Sequence, residues 1–445
     1  MVSAPSILSG PRPFKYFEAW EGSSSFSSTV HEAWQIQITG NPMFQFVKKL
    51  ANTKQVLKRW NKEIFGPIHH TLASHRCEME EAQKALHQTP HDPLTRANEA
   101  AARLKYRNTL HQEELFARQK SRQLWLAAGD SNTKFFYNSI KSRSVKNSIC
   151  CLRQNDGTFC SSSEEIKDLT VQYFQELLNQ NSSSAQTPPL AFGGISEAEN
   201  SSLCSCVTEA EMRAALFQMK ALSSPGSDGF PSRFYQYFWD MCKTDLLNAI
   251  NYFFTQGKLL RQVNHSFIAL IPKSLAADSL DQYSPISLCN TFYKLITKIM
   301  ALRLQPLLPK LISKHQSAFI KGRSIHQNIL LAHELIKYLN SGPHQACIKV
   351  DLKKAFDSIS WSYLEQVVKR CNFSDHWISL CMECITTPKY SVLINRSPAG
   401  FFSSSCGIRQ GDPLSPLLFV LVMESFSMRI NMLVEAGNIG TLVPS

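Results

Sequence analysis

The stretch ACIKVDLKKAFDSISW, residues 346–361, decides how the rest of this chain is read. An apolar run, Ala346 to Leu352, predicts a short strand that ends on an acid, Asp351. A turn then brings Ala355 and Phe356 back beside it. A carboxylate at the end of a buried strand, next to a free backbone carbonyl, can hold a divalent cation. The same residue can equally do no more than cap the turn, and the stretch alone leaves both readings open. Asp357 reads as a turn or cap residue rather than a further ligand.

The second decisive stretch is CGIRQGDPLSPLLFVLVMES, residues 406–425. A Gly/Pro loop carrying Arg409, Gln410 and Gly411 runs directly into an apolar helix expected over 417–434 and expected to be buried. Backbone amides, a guanidinium and an amide side chain at a helix N-terminus suit an anionic or nucleotide ligand. An ordinary loop-to-helix entry, with Asp412 satisfying the first turn, is the alternative.

Outward from these two, helices alternate with short strands. Helices are expected at 209–219, 234–256, 290–304 and 360–370, the last with Ser362 and Glu365 in capping-box spacing. A strand is expected at 267–271, and 390–394 pairs with 400–403 as a hairpin. Upstream, residues 1–40 read as irregular, with GSSSFSS at 22–28 as a flexible patch. Residues 41–145 read as a helical connecting region. Residues 146–190 read as a hairpin at Asp156-Gly157, a helix from Ser163 and a linker, NQNSSSAQTPP. The aromatics Phe234, Tyr235, Tyr237, Phe238 and Trp239 read as core rather than as a stacking surface for bases. Cys381-x-x-Cys384 has zinc-like spacing without a second pair, so buried thiols are the better reading. The SPGSDGF loop lacks the Gly-Lys-Ser/Thr ending of a P-loop.

Charge adds a partner class. The 445 residues carry 47 Lys and Arg against 35 Asp and Glu, a formal +12. Between Arg96 and Lys146 lie eleven Lys and Arg against four Asp and Glu, so +7 of the +12 sits in about fifty residues. A phosphate-rich partner is expected there, with Arg118, Lys120, Arg122 and Lys134 as contacts; a merely solvated helical face is the alternative. A composition of 43% hydrophobic residues supports a sizeable core, and the length fits about two to four domains. The longest apolar run, Leu417 to Met423, is stopped by Glu424, short of the roughly 18–20 residues of a membrane span. The N-terminus lacks a signal-peptide pattern, and the thirteen cysteines do not form a small disulfide framework. The chain is therefore expected to be intracellular, in the nucleus or cytoplasm, not secreted and without a membrane partner.

Taken together, the motifs resemble the reverse transcriptases of non-LTR retrotransposons, in the style of plant long interspersed elements. KALSSPGSDGFPSRFYQYFW, FIALIPKS, SPISLCNTFYKLITKIMALRL, QSAFIKGRSIHQNILLAHEL, IKVDLKKAFDSISW and GIRQGDPLSPLLFVLVMES follow one another in that family's order. RPFKYFEAW, WNKEIFG and QKSRQLWLAAGDSNTKFF resemble its connecting segment. The resemblance implies an α+β chain: a helical, basic N-terminal region, then incomplete fingers and palm over 191–445. It implies RNA-directed DNA synthesis with Mg²⁺, deoxynucleoside triphosphates, an RNA template and a DNA primer. Under it, Asp351 is the catalytic, metal-binding aspartate, assisted by the Leu352 carbonyl. Phe356 is the aromatic that rejects a 2′-OH. Gln410 and Gly411, with Arg409, line the nucleotide. Lys273 meets the triphosphate, and Lys321 and Arg323 touch the template backbone.

The departures carry their own expectation. The family's aromatic-x-Asp-Asp hairpin is not in this sequence, where Asp412 is the last aspartate. The family's Arg-Pro-Ile-Ser reads Ser284-Pro285-Ile286-Ser287. VSAPSIL resembles the end of an endonuclease domain. The chain is thus expected to be a truncated, polymerase-inactive copy; the alternative is a non-catalytic nucleic-acid-binding relic or a pseudogene product.

Overall fold

The computed structural model describes residues 10–122, 133–154, 156–180, 193–339 and 348–439. The N-terminal segment is the first departure from expectation. Instead of being irregular, it forms a 3-10 turn, Glu18–Gly22, and a helix α1, Phe26–Trp34. Its serine-rich stretch stays ordered because Phe26 is fully buried. Tyr16, Trp20, Phe26, Val30 and Trp34 all belong to the main core, and Trp20 meets Trp60 edge-on with ring centroids 6.0 Å apart. Burial of several aromatics outweighs the weak helix propensity of serine.

Helix α2, Pro42–Trp60, starts with Pro at its first turn and Asn41 as cap, its side chain accepting from Phe44 N at 2.9 Å. A π-turn, Asn61–Phe65, ends it. Helices α3, Ile68–Gln88, and α4, Pro93–Ser121, form an antiparallel hairpin. His69 reaches Glu113, His75 reaches Thr109 and Lys105 pairs with Glu78. Leu94 and Leu104 stay exposed along α4, whose apolar residues are sparse. Helix α5 covers Thr133–Lys146.

A small hairpin follows, β1 Leu152–Arg153 with β2 Phe159–Cys160, and then α6, Ser163–Leu178. The expected linker falls largely on 181–192, outside the described residues. The second half begins with α7, Glu197–Cys204, held by a Ser196/Glu199 capping box, and α8, Glu209–Gln218. Next come α9, Ser232–Tyr237, and α10, Trp239–Gln256. Phe234, Tyr235, Phe238 and Trp239 are buried, which answers the core-or-stacking question; Tyr237 alone of the five is exposed.

Strands β3, His265–Pro272, and β4, Tyr283–Cys289, pair antiparallel. The sequence reading missed β4, whose Pro285 hides it; proline is tolerated because β4 is an edge strand. Helices α11, Thr291–Leu304, α12, Leu308–Leu311, and α13, Ile325–Leu339, lead to the segment around Asp351. Helices α14, Trp361–Arg370, and α15, Asp375–Thr386, come next; α14 is capped by Ser360 rather than Ser362. Strands β5, Lys389–Ile394, and β6, Ser397–Phe402, form the expected hairpin, and α16 spans Ser415–Glu435. The sheet order is β4-β3-β5-β6, with β3 and β5 parallel.

Helix α16 corrects a second expectation. It is long and apolar enough to cross a membrane by length and composition. Its first half, with Leu417, Leu418, Val420 and Leu421, is buried in the main core, whereas Phe426 and Ile430 are exposed. Glu424 is buried too and accepts from Ser313 Oγ at 3.1 Å. Cys381 and Cys384 are buried thiols of α15, and burial pushes both well above the ordinary thiol range.

Candidate nucleotide and nucleic-acid site

Two loops meet to make the site. In the first, Lys354 adopts φ +53° and its carbonyl accepts from Asp357 N at 2.9 Å, which folds Ala355 and Phe356 back. In the second, Gly407 N donates to Ile359 O at 2.7 Å and Ile408 N to Phe356 O at 2.8 Å. Gly407 has φ +83°, and a Cβ there would lie 2.7 Å from Asp357 O, so only glycine allows this approach. Ser287 N donates to Gln410 O at 2.9 Å, fastening the second loop to β4. A Cβ on Gly411 would stand 3.0 Å from Ser287 O.

Between them lies a cavity of about 180 Å³, with Lys273, Lys354, Phe356, Asp357, Gln410 and Tyr173 in its wall. Phe356 is stacked on Phe419 with centroids 4.8 Å apart and planes 11° from parallel, so its ring is a fixed wall. Lys273 is exposed at the end of β3, and its ammonium donates to Asp281 O at 2.9 Å. Lys354 Nζ donates to Tyr173 OH at 2.8 Å and lies 4.8 Å from that ring's centroid. Burial raises the Asp357 carboxyl to about 6, against the opposing charge of Lys354. Sequence reasoning missed both Lys354 and Tyr173. Lys354 stood two residues before Phe356 and could have been found; Tyr173 comes from α6, and only the tertiary structure brings it here.

Two expected contacts are spent elsewhere. Arg409 is buried rather than facing a nucleotide. It donates to Cys384 O at 2.8 Å and Ser266 Oγ at 3.0 Å, and its guanidinium lies 3.9 Å from the Tyr293 ring centroid. Tyr293 OH in turn donates to Asp412 Oδ2 at 2.6 Å. An arginine able to satisfy several carbonyl acceptors and a ring face at once is a structural clamp. Arg323 is likewise occupied: it donates to Gln316 O at 2.7 Å, Ile312 O at 2.9 Å and Ser313 O, holding its own loop rather than a template. Lys321 beside it is exposed.

The segment around Asp351 departs furthest. Residues 348–352 form no strand, and Ala346 lies outside the described residues. Ile348 is 84% exposed and Val350 63%, because β4 and β6 are the sheet edges and this run adds to neither. Asp351 and Leu352 are therefore exposed. Among the described residues no group of three or more His, Cys, Asp or Glu stands together. The donor set around Asp351 thus does not by itself fit a pair of Mg²⁺ ions.

On the connecting region, Arg118, Lys120 and Arg122 are exposed at the end of α4, with Arg118 3.6 Å from Glu18. Lys134 lies in α5.

Residues 271–436 match the family of reverse transcriptases (RNA-dependent DNA polymerases). A 149 kDa protein of the transposon TX1 from Xenopus laevis is 29% identical over 311 residues, 69% of this chain and 24% of that protein. A Pol polyprotein from the type-1 retrotransposable element R2 of Nasonia vitripennis is 28% identical over 209 residues, 46% of this chain and 20% of that protein. The type-2 element R2DM of Drosophila melanogaster gives 23% over 261 residues, 58% and 24% respectively. The chain spans about a quarter or less of the length of these relatives. Both loops lie inside the matched residues, whereas Tyr173 of the cavity wall lies outside them, so the site sits mainly in a segment that is similar to the reverse transcriptases of retrotransposable elements.

Proposed function

We propose that this chain supplies the nucleotide and template platform for RNA-directed DNA synthesis. The observation that carries the reading is the cavity where Lys273 and Lys354 stand over the Phe356 wall, next to Gln410. Two ammonium groups attract a triphosphate, and Gln410 offers an amide to a nucleotide or template. The stacked Phe356 ring leaves no freedom to admit a 2′-OH beside it. Ser284 lines the same cavity where the family pattern has arginine, so Lys354, held by Tyr173, takes over part of that positive charge. Mg²⁺ would supply the activation of a primer hydroxyl. Asp351 and the Leu352 carbonyl are the groups here that can contribute to holding it. They do not make a complete site, so no catalytic step is derived from them.

For the 445-residue polypeptide we expect deoxynucleotide and template binding, with DNA synthesis at background. Primer extension on an RNA template with Mg²⁺, beside binding of a fluorescent deoxynucleotide, tests this. Loss of nucleotide binding in Lys354→Ala supports the platform; robust extension that Asp351→Asn abolishes would overturn the expectation of background synthesis. A second reading, nucleic-acid binding without catalysis, is favoured by the exposed cations at the end of α4. Salt-independent or absent RNA binding would exclude it.

A further inference from the structure

Three chain segments far apart in sequence converge at the C-terminal end of α4. The N-terminal segment is tied to α4 by Gln119, whose amide donates to Tyr16 O at 2.9 Å and whose carbonyl accepts from Glu18 N at 2.9 Å. The same segment touches the tip of the β5–β6 hairpin, where a Cβ on Gly10 would lie 2.5 Å from Ser397 Oγ. Each segment brings cations: Arg12 and Lys15 from the first, Lys120 and Arg122 from α4, Arg396 from the hairpin tip. Arg12, Lys120, Arg122 and Arg396 are exposed. Among the described residues none of the five forms a salt bridge.

The crowding of like charges disfavours the protonated amines. Burial, with the charges of Arg122, Lys120 and Arg396, pushes the Lys15 amine down to about 8. Partial burial and the charges of Arg12 and Arg396 lower Lys120 in the same way. The hairpin tip adds an independent sign. Asn395 and Arg396 have φ +48° and +72°, as a two-residue turn of the primed type requires. Asn395 is anchored, exchanging two hydrogen bonds of 2.9 Å with the Ile149 backbone. Arginine at the second position costs roughly 1–2 kcal/mol relative to glycine, and this strain places a cation in the cluster.

Next to the cluster, and sharing Lys120 with it, is a cavity of about 490 Å³ whose Phe17 ring lies 5.9 Å from Lys15 Nζ and 5.7 Å from Lys120 Nζ. Phe17, Phe65, Ile68 and Phe116 give it apolar walls, and Lys62 stands with Lys120 at its lining. Cations beside an apolar, aromatic niche are the arrangement that takes backbone phosphates together with an unpaired base. A base held inside a duplex cannot enter such a niche.

We infer that Arg12, Lys15, Lys120, Arg122 and Arg396 form one composite site for the phosphate backbone of a single-stranded nucleic acid, with the adjoining cavity receiving an unpaired base. The site rests on the nucleic-acid reading above and joins the connecting region to the polymerase domain through a shared ligand.

Fluorescence anisotropy with labelled single-stranded oligo(U), its DNA counterpart and a duplex tests this across a salt series. Arg396→Gly is the informative variant, because it removes the charge while suiting the turn, so a folding defect cannot imitate the result. The salt slope should fall by roughly 0.7 and affinity by about fourfold at 0.15 M salt, with the difference closing near 1 M. Arg396→Lys should retain the slope, and Lys369→Ala, on α14, should leave it unchanged. If the wild type binds steeply with salt while Arg396→Gly and Lys15→Ala bind as it does, the composite site is overturned and the nucleic-acid reading stands. Absence of salt-dependent binding by the wild type overturns both. Equal affinity for the duplex overturns the assignment to an unpaired strand.

Discussion

Asp357→Asn tests the nucleotide cavity through the titration of a single carboxyl. In the folded chain that carboxyl is raised from its ordinary 3.8 to about 6 by burial, with Lys354 acting in the opposite sense. Between about pH 4 and pH 6 the native state therefore holds a proton that the unfolded chain has released. Stability contributed by this group falls as pH rises through that window, and the full destabilisation persists above it. A shift of this size is worth about 3 kcal/mol, and partial solvent access reduces it to roughly 2–3. Asparagine keeps the shape and cannot ionise. The variant should match the wild type near pH 3.5, gain steadily from pH 4 to pH 6, and hold a constant advantage above pH 7. At pH 7.5 that corresponds to a rise in thermal midpoint of about 2–3 °C for a chain of 445 residues. Removing a negative charge from the wall beside Lys273 and Lys354 should also tighten triphosphate binding at pH 7.5. Circular dichroism melts across the pH series, with fluorescent-nucleotide titrations, read both effects. A variant no more stable than the wild type at pH 7.5, or a difference independent of pH, would refute the reasoning.

Tyr293→Phe removes the buried donor to Asp412 and should destabilise by about 2–3 kcal/mol; an unchanged urea midpoint would rule out the clamp around Arg409. Arg409→Met leaves buried acceptors unpaired and should cost about 3–5 kcal/mol, read by the same melt. Phe356→Ala should weaken discrimination between deoxyribonucleotides and ribonucleotides, measured by competition binding, and lower stability by about 3 kcal/mol as its stack on Phe419 is lost. Lys15 is held below its ordinary range, so the native state gains relative stability as pH rises from about 8 toward 10. Lys15→Met should abolish that part of the thermal-midpoint rise, and an identical profile in the variant would count against the crowded cluster.

The motifs legible in the sequence were those in which local chemistry and structure coincide. The loop around Ala355-Phe356, the Gly407 to Gly411 loop and the β5–β6 hairpin follow from residues whose backbone preferences act within a few positions. The site was readable only in part. Lys273, Phe356 and Gln410 do line one cavity. Arg409 was read as a ligand contact because arginine at a loop before a helix suggests an anion, and Arg323 because the family resemblance implies a template contact there. Carbonyl acceptors from distant segments, such as Cys384 O on α15, claim the first, and carbonyls of its own loop claim the second. The apolar run ending on Asp351 matched a strand by pattern. A strand exists only where a neighbour completes its hydrogen-bond ladder, and here β3 and β5 pair with each other and with β4 and β6.

By itself, then, the sequence determined most of the helices and the β5–β6 hairpin, the apolar faces that build the core, the resemblance of residues 271–436 to reverse transcriptases and the excess of positive charge near α4. These depend on periodicity, turn chemistry and composition, which act locally. The tertiary structure decided what those residues face. It ordered the serine-rich N-terminal segment by giving Phe26 a core, engaged two arginines with backbone carbonyls, and brought Tyr173 to Lys354. It also gathered Arg12, Lys15, Lys120, Arg122 and Arg396 from three separate segments. Contact between residues so far apart in the chain is set by which surfaces pack together, and no local signal carries that information.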